Sequence, residues 1–178
     1  MFYALEECPL IQMNSTNTDY DHPDIVYDFF KKLPPEANNV ICGEHLLLNH
    51  SLSHVGILDF AKFVYFIRPG SHTIQDMMRS GVFTPNNCLL HYSYRLQRIC
   101  EMARKTPGAV LLTWEDLQAG RGMDLVGNYL RVPYRFTQPK VSPFSKNNKV
   151  APEILKKADE CYERYYYYLR QFDLVRSV

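Results

Sequence analysis

The run Lys62 to Arg68, KFVYFIR, constrains the fold more than any other part of the chain. Its β-branched and aromatic residues are continuous, and Pro69-Gly70 stops them, which predicts a short strand. Strands without polar alternation are typical of parallel sheets that helices cover on both faces. The runs Val40 to Cys42 and Ala109 to Trp114 have the same character, so we expect two further buried strands.

Helical segments follow these strands. One long amphipathic helix is predicted by apolar residues that recur at helical spacing and so share one face. These residues are Leu89, Tyr92, Leu96, Ile99 and Ala103. The predicted helices run from Ser71, as N-cap, to Arg79; from Asn86 or Asn87 to about Thr106; from Glu115 to Tyr129; and from about Ala151 to Phe172. This order predicts an α/β fold of three layers, with a short, mostly parallel sheet flanked by helices. We expect one domain over 1–178.

Composition narrows the class of protein. Lys+Arg 20 against Asp+Glu 19 gives no basic footprint for nucleic acid at the level of the whole chain. No stretch approaches the roughly 20 apolar residues of a membrane span. The five cysteines form no CxxC pair and their number is odd, which favours reduced thiols in a cytoplasmic protein.

Ligands of parallel α/β sheets lie beyond the carboxyl ends of the strands. That rule points to Gly43–His45, to Arg68–Ser71 and to Trp114–Asp116. Arg68 supplies a forked cationic donor suited to phosphate, and the N-terminus of the helix that follows adds N–H groups. The alternative is that Arg68 pairs with a nearby acid such as Asp76.

Two segments resemble PAPS-dependent sulfotransferases. KFVYFIRPGSHTIQDMMR, Lys62 to Arg79, is similar to the strand, arginine and helix that bind the donor's 3′ phosphate. YRLQRICEMARKTPGAVLLTWEDLQAGRGMDLVGNYLRVP, Tyr94 to Pro133, resembles their long helix, their strand ending in Glu-Asp, and the helix after it. The likeness covers roughly Val40 to Pro133, with a weaker tail in the last helix. It implies a P-loop-type fold.

The resemblance also implies an activity and a donor site. The family transfers a sulfuryl group from PAPS to a hydroxyl or amine acceptor, without a metal. Arg68 matches the arginine of the 3′-phosphate site. A serine usually shares that task, whereas this chain has Gln75 at the matching position, with Ser71 and Asp76 nearby.

The resemblance further implies a base and a covering loop. His45 lies where many sulfotransferases carry the catalytic base, and Glu44 is a rival carboxylate. Basic loops in the C-terminal part of the family close over the nucleotide, which makes Lys146 and Lys149 candidates. The loop Lys140 to Lys149 has the alternative of being a solvated connector. The family's Glu-Asp dyad, here Glu115-Asp116, is interpreted as structural.

One departure concerns the 5′-phosphosulfate site. The family holds this group on a glycine-rich loop near its start, where backbone amides cradle the phosphate. No glycine precedes Gly43, so we expect either an N-terminally incomplete chain or a relative that has lost donor binding. The spacing of His45, His50 and His54 fits no zincin pattern, and the alternative is that a helix brings His50 and His54 to one face as metal ligands. The alternative function is a non-catalytic interaction module with a Tyr and Phe surface, and an uncovered sheet position favours self-association into a homo-oligomer.

Overall fold

The computed structural model describes residues 62–79, 84–131 and 150–176. Packing divides the chain into two units. The larger unit contains Phe63–Gly122 and Lys140–Val178; the smaller contains Met1–Lys62 and Met123–Pro139. Val40–Cys42, Glu44, His45, His50, His54, Lys146 and Lys149 lie outside the described residues.

Two short strands of the larger unit form a parallel sheet. β1, Val64–Ile67, pairs with β2, Val110–Thr113, in a register that places Val64 opposite Val110 and Ile67 opposite Thr113. All of β2 is buried, and three of its four residues are apolar, as expected for a strand of a covered parallel sheet. Val175 adds an isolated parallel bridge to Val110. The predicted mixed α/β class, with helices flanking a short parallel sheet, is confirmed.

Two helices connect β1 to β2: α1, Gly70–Arg79, and α2, Pro85–Ala103. The predicted N-cap of α2 at Asn86 or Asn87 is wrong. Thr84 is the cap, because its side chain accepts the Asn87 N–H at 3.3 Å and Pro85 fits the first helical turn. Helix α1 begins at Gly70, so Ser71 lies inside the helix and is not its N-cap.

The single helix predicted over 115–129 is two helices. α3, Trp114–Gln118, ends before α4, Gly122–Leu130. Gly120 has a φ of 79°, a left-handed conformation that glycine adopts without strain and that breaks the helix. In the smaller unit, Lys62 donates to the Tyr129 carbonyl at 2.9 Å and lies over its ring.

Helix α5, Pro152–Leu169, packs against both α1 and α2. A Cβ at Gly70 would lie 2.2 Å from the Ala158 carbonyl oxygen, so the start of α1 approaches the backbone of α5 directly. In the run of four tyrosines, Tyr165 and Tyr166 are half-buried, whereas Tyr167 and Tyr168 are exposed. Two of the four therefore face inward, as helical geometry predicts.

None of the helices within 62–79, 84–131 and 150–176 is long and apolar enough to cross a membrane. The described cysteines, Cys88, Cys100 and Cys161, are buried free thiols. Burial raises the pKa of the Cys100 thiol to about 11, so this group behaves as a small core residue.

Candidate functional site

The ends of the two strands meet at one edge of the sheet. Because Ile67 is opposite Thr113 in the parallel register, the next residues, Arg68 and Trp114, emerge side by side. The Arg68 guanidinium carbon lies 5.3 Å from the centroid of the Trp114 ring. The structure thus brings together two of the three predicted ligand positions, and the third, 43–45, lies outside the described residues.

Aromatic rings surround Trp114 on this edge. The His72 ring meets it edge-on at a centroid distance of 6.2 Å, and the Phe66 ring lies at 6.4 Å. Phe66 belongs to β1 and His72 to the first turns of α1, so the cluster joins both strand ends through one indole. Trp114 is the one tryptophan of the chain, which makes it a reporter of this edge.

Asp76 joins two arginines at the site. The Arg68 guanidinium forms an ion pair with Asp76 Oδ2, and Arg79 Nη1 lies 3.2 Å from Asp76 Oδ1. We call this group the Arg68–Asp76–Arg79 triad. Its side chains are 22%, 39% and 46% exposed, in that order. Arg68 was interpreted either as a phosphate-binding residue or as the partner of a nearby acid. The structure contains the ion pair with Asp76.

Arg68 is held from other directions as well. Its Nη2 donates to the His72 carbonyl at 2.7 Å, and its own carbonyl accepts the Tyr92 hydroxyl at 2.8 Å. Arg68 Nε and Trp114 Nε1 are buried and have no hydrogen-bond partner within the described segments. An unsatisfied buried donor costs about 1–3 kcal/mol, and such groups mark strain, function or an absent partner.

The N-terminus of α1 is closed by a carboxylate from α5. The Ser71 N–H donates to Asp159 Oδ1 at 2.8 Å, across 88 residues of sequence. The Thr73 N–H and hydroxyl both bind the Pro69 carbonyl at 3.1 Å. A negative charge at a helix N-terminus is favourable. The sequence predicted that N–H groups at the start of α1 bind a phosphate. In the structure, the Asp159 carboxylate binds one of these groups, the Ser71 N–H.

Two buried phenols line the inner side of the site. Burial is the main cause that raises the pKa of Tyr92 and of Tyr162 far above the ordinary value of 10.0, and for Tyr162 the charge of Glu115 adds to it. Tyr162 donates to Glu115 Oε2 at 3.2 Å, which links α5 to α3. Both groups remain neutral hydrogen-bond donors across the physiological pH range.

The end of β2 is closed by its own sequence. Thr113 and Asp116 form a capping box: the Asp116 carboxylate accepts the Thr113 N–H at 3.0 Å, and Thr113 Oγ1 accepts the Asp116 N–H at 3.2 Å. Asp116 is only 6% exposed. Glu115, which is exposed, accepts the Tyr162 hydroxyl. Both carboxylates of the Glu115-Asp116 dyad therefore stabilise the fold.

The predicted donor residues differ in position. Asp76 is half-buried and paired with Arg68, Ser71 is half-buried and bound to Asp159, and Gln75 is buried, with 5% of it exposed. Sequence reasoning missed Arg79 as a second partner of Asp76, and His72 and Trp114 as neighbours of Arg68. The spacing of Asp76 and Arg79, three residues apart on a helix, is a signal that could have found one of them.

The described residues contain no group of three His, Cys, Asp or Glu side chains arranged to hold a metal ion. Comparison of the chain with protein-family models, with curated proteins and with solved structures gives no match.

Proposed function

We propose that this chain is a sulfotransferase-like protein of P-loop-type, three-layer architecture, and that Arg68 binds the 3′ phosphate of PAPS. The observation that supports this most is the position of Arg68. It follows the last residue of β1, precedes the first residue of α1, and lies at the edge where β2 also ends. Ligands of parallel sheets occupy that edge, and the guanidinium there is 22% exposed.

The proposed reaction moves a sulfuryl group in line from PAPS to an acceptor hydroxyl or amine. His45, or Glu44 in its place, takes the acceptor's proton. Lys146 and Lys149 approach the nucleotide from the C-terminal loop, and cationic groups stabilise the charge of the transferring group. Arg68 fixes the donor, and such positioning can supply roughly 7–11 kcal/mol of the barrier in favourable cases.

Calorimetric titration tests the role of Arg68. We expect adenosine 3′,5′-bisphosphate to bind more tightly than adenosine 5′-monophosphate, which lacks the 3′ phosphate. Arg68→Gln should weaken bisphosphate binding by about tenfold or more, the effect of losing a charge-assisted hydrogen bond, and leave the monophosphate unchanged. Arg68→Lys keeps the charge but loses the two parallel donors of the guanidinium. Its affinity for the bisphosphate should lie between those of the unmodified chain and Arg68→Gln.

Arg164→Gln is the matched control, because Arg164 is an exposed arginine of α5 that lies over the Tyr165 ring. It should bind both nucleotides as the unmodified chain does. Equal affinity for the two nucleotides, or equal loss with both in Arg68→Gln, would contradict the proposed 3′-phosphate site.

A second function is favoured by the two resident carboxylates. Asp76 on Arg68 and Asp159 on Ser71 already occupy the predicted anion positions. Tyr167 is 64% exposed and Tyr168 44%, and exposed aromatic side chains are typical of interaction surfaces. The alternative is thus a non-catalytic interaction module on the same fold. Absence of binding by both nucleotides, to the unmodified chain and to Asp76→Asn alike, would favour this function.

A further inference from the structure

We propose that Asp76 is a resident anion, and that the phosphate group of the ligand replaces it between Arg68 and Arg79. This inference depends on the proposed function, because it concerns the same site. It adds that Arg79 is a second phosphate-binding residue and that Asp76 lowers the affinity of the site. The supporting juxtaposition is one carboxylate whose two oxygens each face a different guanidinium.

The triad has the charge and the shape of an occupied oxyanion site. Asp76 Oδ2 binds Arg68 and Asp76 Oδ1 faces Arg79 at 3.2 Å, so one anionic group bridges two forked donors. A phosphate group also presents several oxygens on one centre and binds guanidinium groups in the same way. Two arginines against one carboxylate leave the triad with a net charge of about +1, which attracts a dianion.

The guanidinium of Arg68 is held independently of Asp76. Its Nη2 also donates to the His72 carbonyl at 2.7 Å, and its Cζ lies over the Trp114 ring, 5.3 Å from the centroid. These two contacts keep Arg68 in position when the carboxylate leaves. A phosphate therefore meets a donor that is already oriented, which lowers the entropy lost on binding.

Asp76 can leave at little cost. Its side chain is 39% exposed, and ion pairs of this exposure contribute little to the stability of a fold. If Asp76 stayed, its charge would repel a phosphate bound to the same guanidinium. Exchange of one anion for the other removes that repulsion, so the affinity of the ligand includes the cost of displacing Asp76.

Two variants separate the roles. Asp76→Asn removes the competing charge and should tighten the binding of adenosine 3′,5′-bisphosphate by about fivefold, the effect of one partly exposed ion pair. Asp76→Ser, a second variant, should do the same. Arg79→Gln removes the second donor and should weaken binding by about fivefold for the same reason. Adenosine 5′-monophosphate should bind all three variants as it binds the unmodified chain.

Trp114 provides the readout. As the chain's one tryptophan, it lies against Arg68, so its fluorescence reports the arrival of an anion at the triad. We would titrate each variant with the two adenosine nucleotides and, separately, with inorganic phosphate, and confirm the affinities by calorimetry. Asp173→Asn and Arg164→Gln are matched controls, since each makes the same change at an exposed position elsewhere in the larger unit.

The outcomes are distinct. Tighter bisphosphate binding in Asp76→Asn and weaker binding in Arg79→Gln, with both controls unchanged, supports the exchange. Binding to the unmodified chain that neither variant alters overturns the exchange and leaves the role of Arg68 intact. Loss of all binding, in Asp76→Asn and Asp76→Ser as well, overturns both this inference and the proposed function.

Discussion

The two strand ends of the larger unit are closed in different ways. After β2, the cap of α3 comes from neighbours in sequence: Thr113 and Asp116 bind each other across three residues, and the carboxylate is buried. After β1, the partner of the Ser71 N–H is Asp159, 88 residues away. The partner of Arg68 is Asp76, which is 39% exposed.

The difference separates a structural end from an adaptable one. A buried capping box satisfies its groups at short range and offers no donor to a ligand. The end of β1 depends on Asp76 of α1 and on Asp159 of the distant α5, and the Arg68 guanidinium and the Asp76 carboxylate are partly exposed. Partners of that kind can be exchanged for a ligand at small cost, which is why we place the site at β1 and not at β2.

The largest expected effect is on the contact between Gly70 of α1 and Ala158 of α5, which positions the helix after β1. Gly70→Ala would place a Cβ 2.2 Å from the Ala158 carbonyl oxygen and 2.3 Å from its carbon. Because backbone atoms cannot move without shifting α5, we expect the free energy of unfolding to fall by about 3 kcal/mol, the upper range for overpacking. Urea denaturation followed by circular dichroism measures the change.

Gly122→Ala is the matched control near β2. Its Cβ would first meet Leu112 Cδ1 at 2.6 Å, and that methyl group can rotate away. The loss should be about 1 kcal/mol, the lower range for overpacking. If Gly70→Ala cost no more than Gly122→Ala, the close packing of α1 on α5 would be refuted.

The second prediction compares the two carboxylate caps directly. Asp116→Ala removes two bonds to Thr113 and leaves buried donors behind, so we expect a loss of about 2 kcal/mol, the upper range for a cap. Asp159→Ala removes the bond to the Ser71 N–H and should cost about 1 kcal/mol. Thermal and urea unfolding measure both.

Asp173→Ala serves as the reference, because this exposed aspartate should change stability by less than about 0.5 kcal/mol. A loss in Asp159→Ala as large as that in Asp116→Ala would show that the start of α1 is as structural as the start of α3. The contrast between the two strand ends would then disappear.

The third prediction concerns Tyr162, which links α5 to the β2 end. Burial, and then the charge of Glu115, raise the pKa of this phenol above its ordinary value of 10.0. The unfolded chain therefore releases the proton above about pH 10, while the folded chain keeps it. Stability from this group is complete below pH 10 and is lost as the pH rises further.

Tyr162→Phe should lower the free energy of unfolding by about 1 kcal/mol at pH 7, through loss of the bond to Glu115. Above pH 10 its stability should fall less steeply than that of the unmodified chain, so the two curves converge. Tyr167→Phe is the matched change at an exposed position. Parallel curves for Tyr162→Phe and the unmodified chain would contradict the assigned cause.

The sequence predicted the strands and the class of fold better than the helix ends. The predicted strands in KFVYFIR and AVLLTW are present as Val64–Ile67 and Val110–Thr113, while Trp114 already belongs to α3. The third predicted strand, Val40–Cys42, lies outside the described residues. Thr84 was missed as a cap because the Asn pair after it is an equally good capping signal. The break at Gly120 depends on its left-handed φ, which composition alone does not show.

The candidate site was predictable only in part. The position of Arg68 at the end of β1 followed from the sequence, and its pairing with Asp76 was the alternative interpretation of that arginine. Asp159 was not anticipated, because its approach to Ser71 depends on how α5 packs against α1, and no local pattern encodes a contact across 88 residues. The closeness of Arg68 to Trp114 likewise depends on the register in which β1 pairs with β2.

The smallest expected effect is on the ion pair itself. A double-mutant cycle with Arg68→Gln and Asp76→Asn should give a coupling energy below about 1 kcal/mol, since both side chains are partly exposed. The reference cycle uses Arg98→Gln and Glu101→Gln, a pair on α2 with side-chain exposures of 21% and 39%, against 22% and 39% for Arg68 and Asp76. Two similar values below about 1 kcal/mol would show that the fold does not depend on the Arg68–Asp76 pair.

The same cycles repeated with adenosine 3′,5′-bisphosphate give the sharpest contrast. If the ligand's phosphate displaces Asp76, the ligand should reduce the Arg68–Asp76 coupling and leave the Arg98–Glu101 coupling unchanged. A coupling of several kcal/mol between Arg68 and Asp76 without ligand would mean the opposite: the pair would be a fixed structural element, and the β1 end would be as closed as the β2 end.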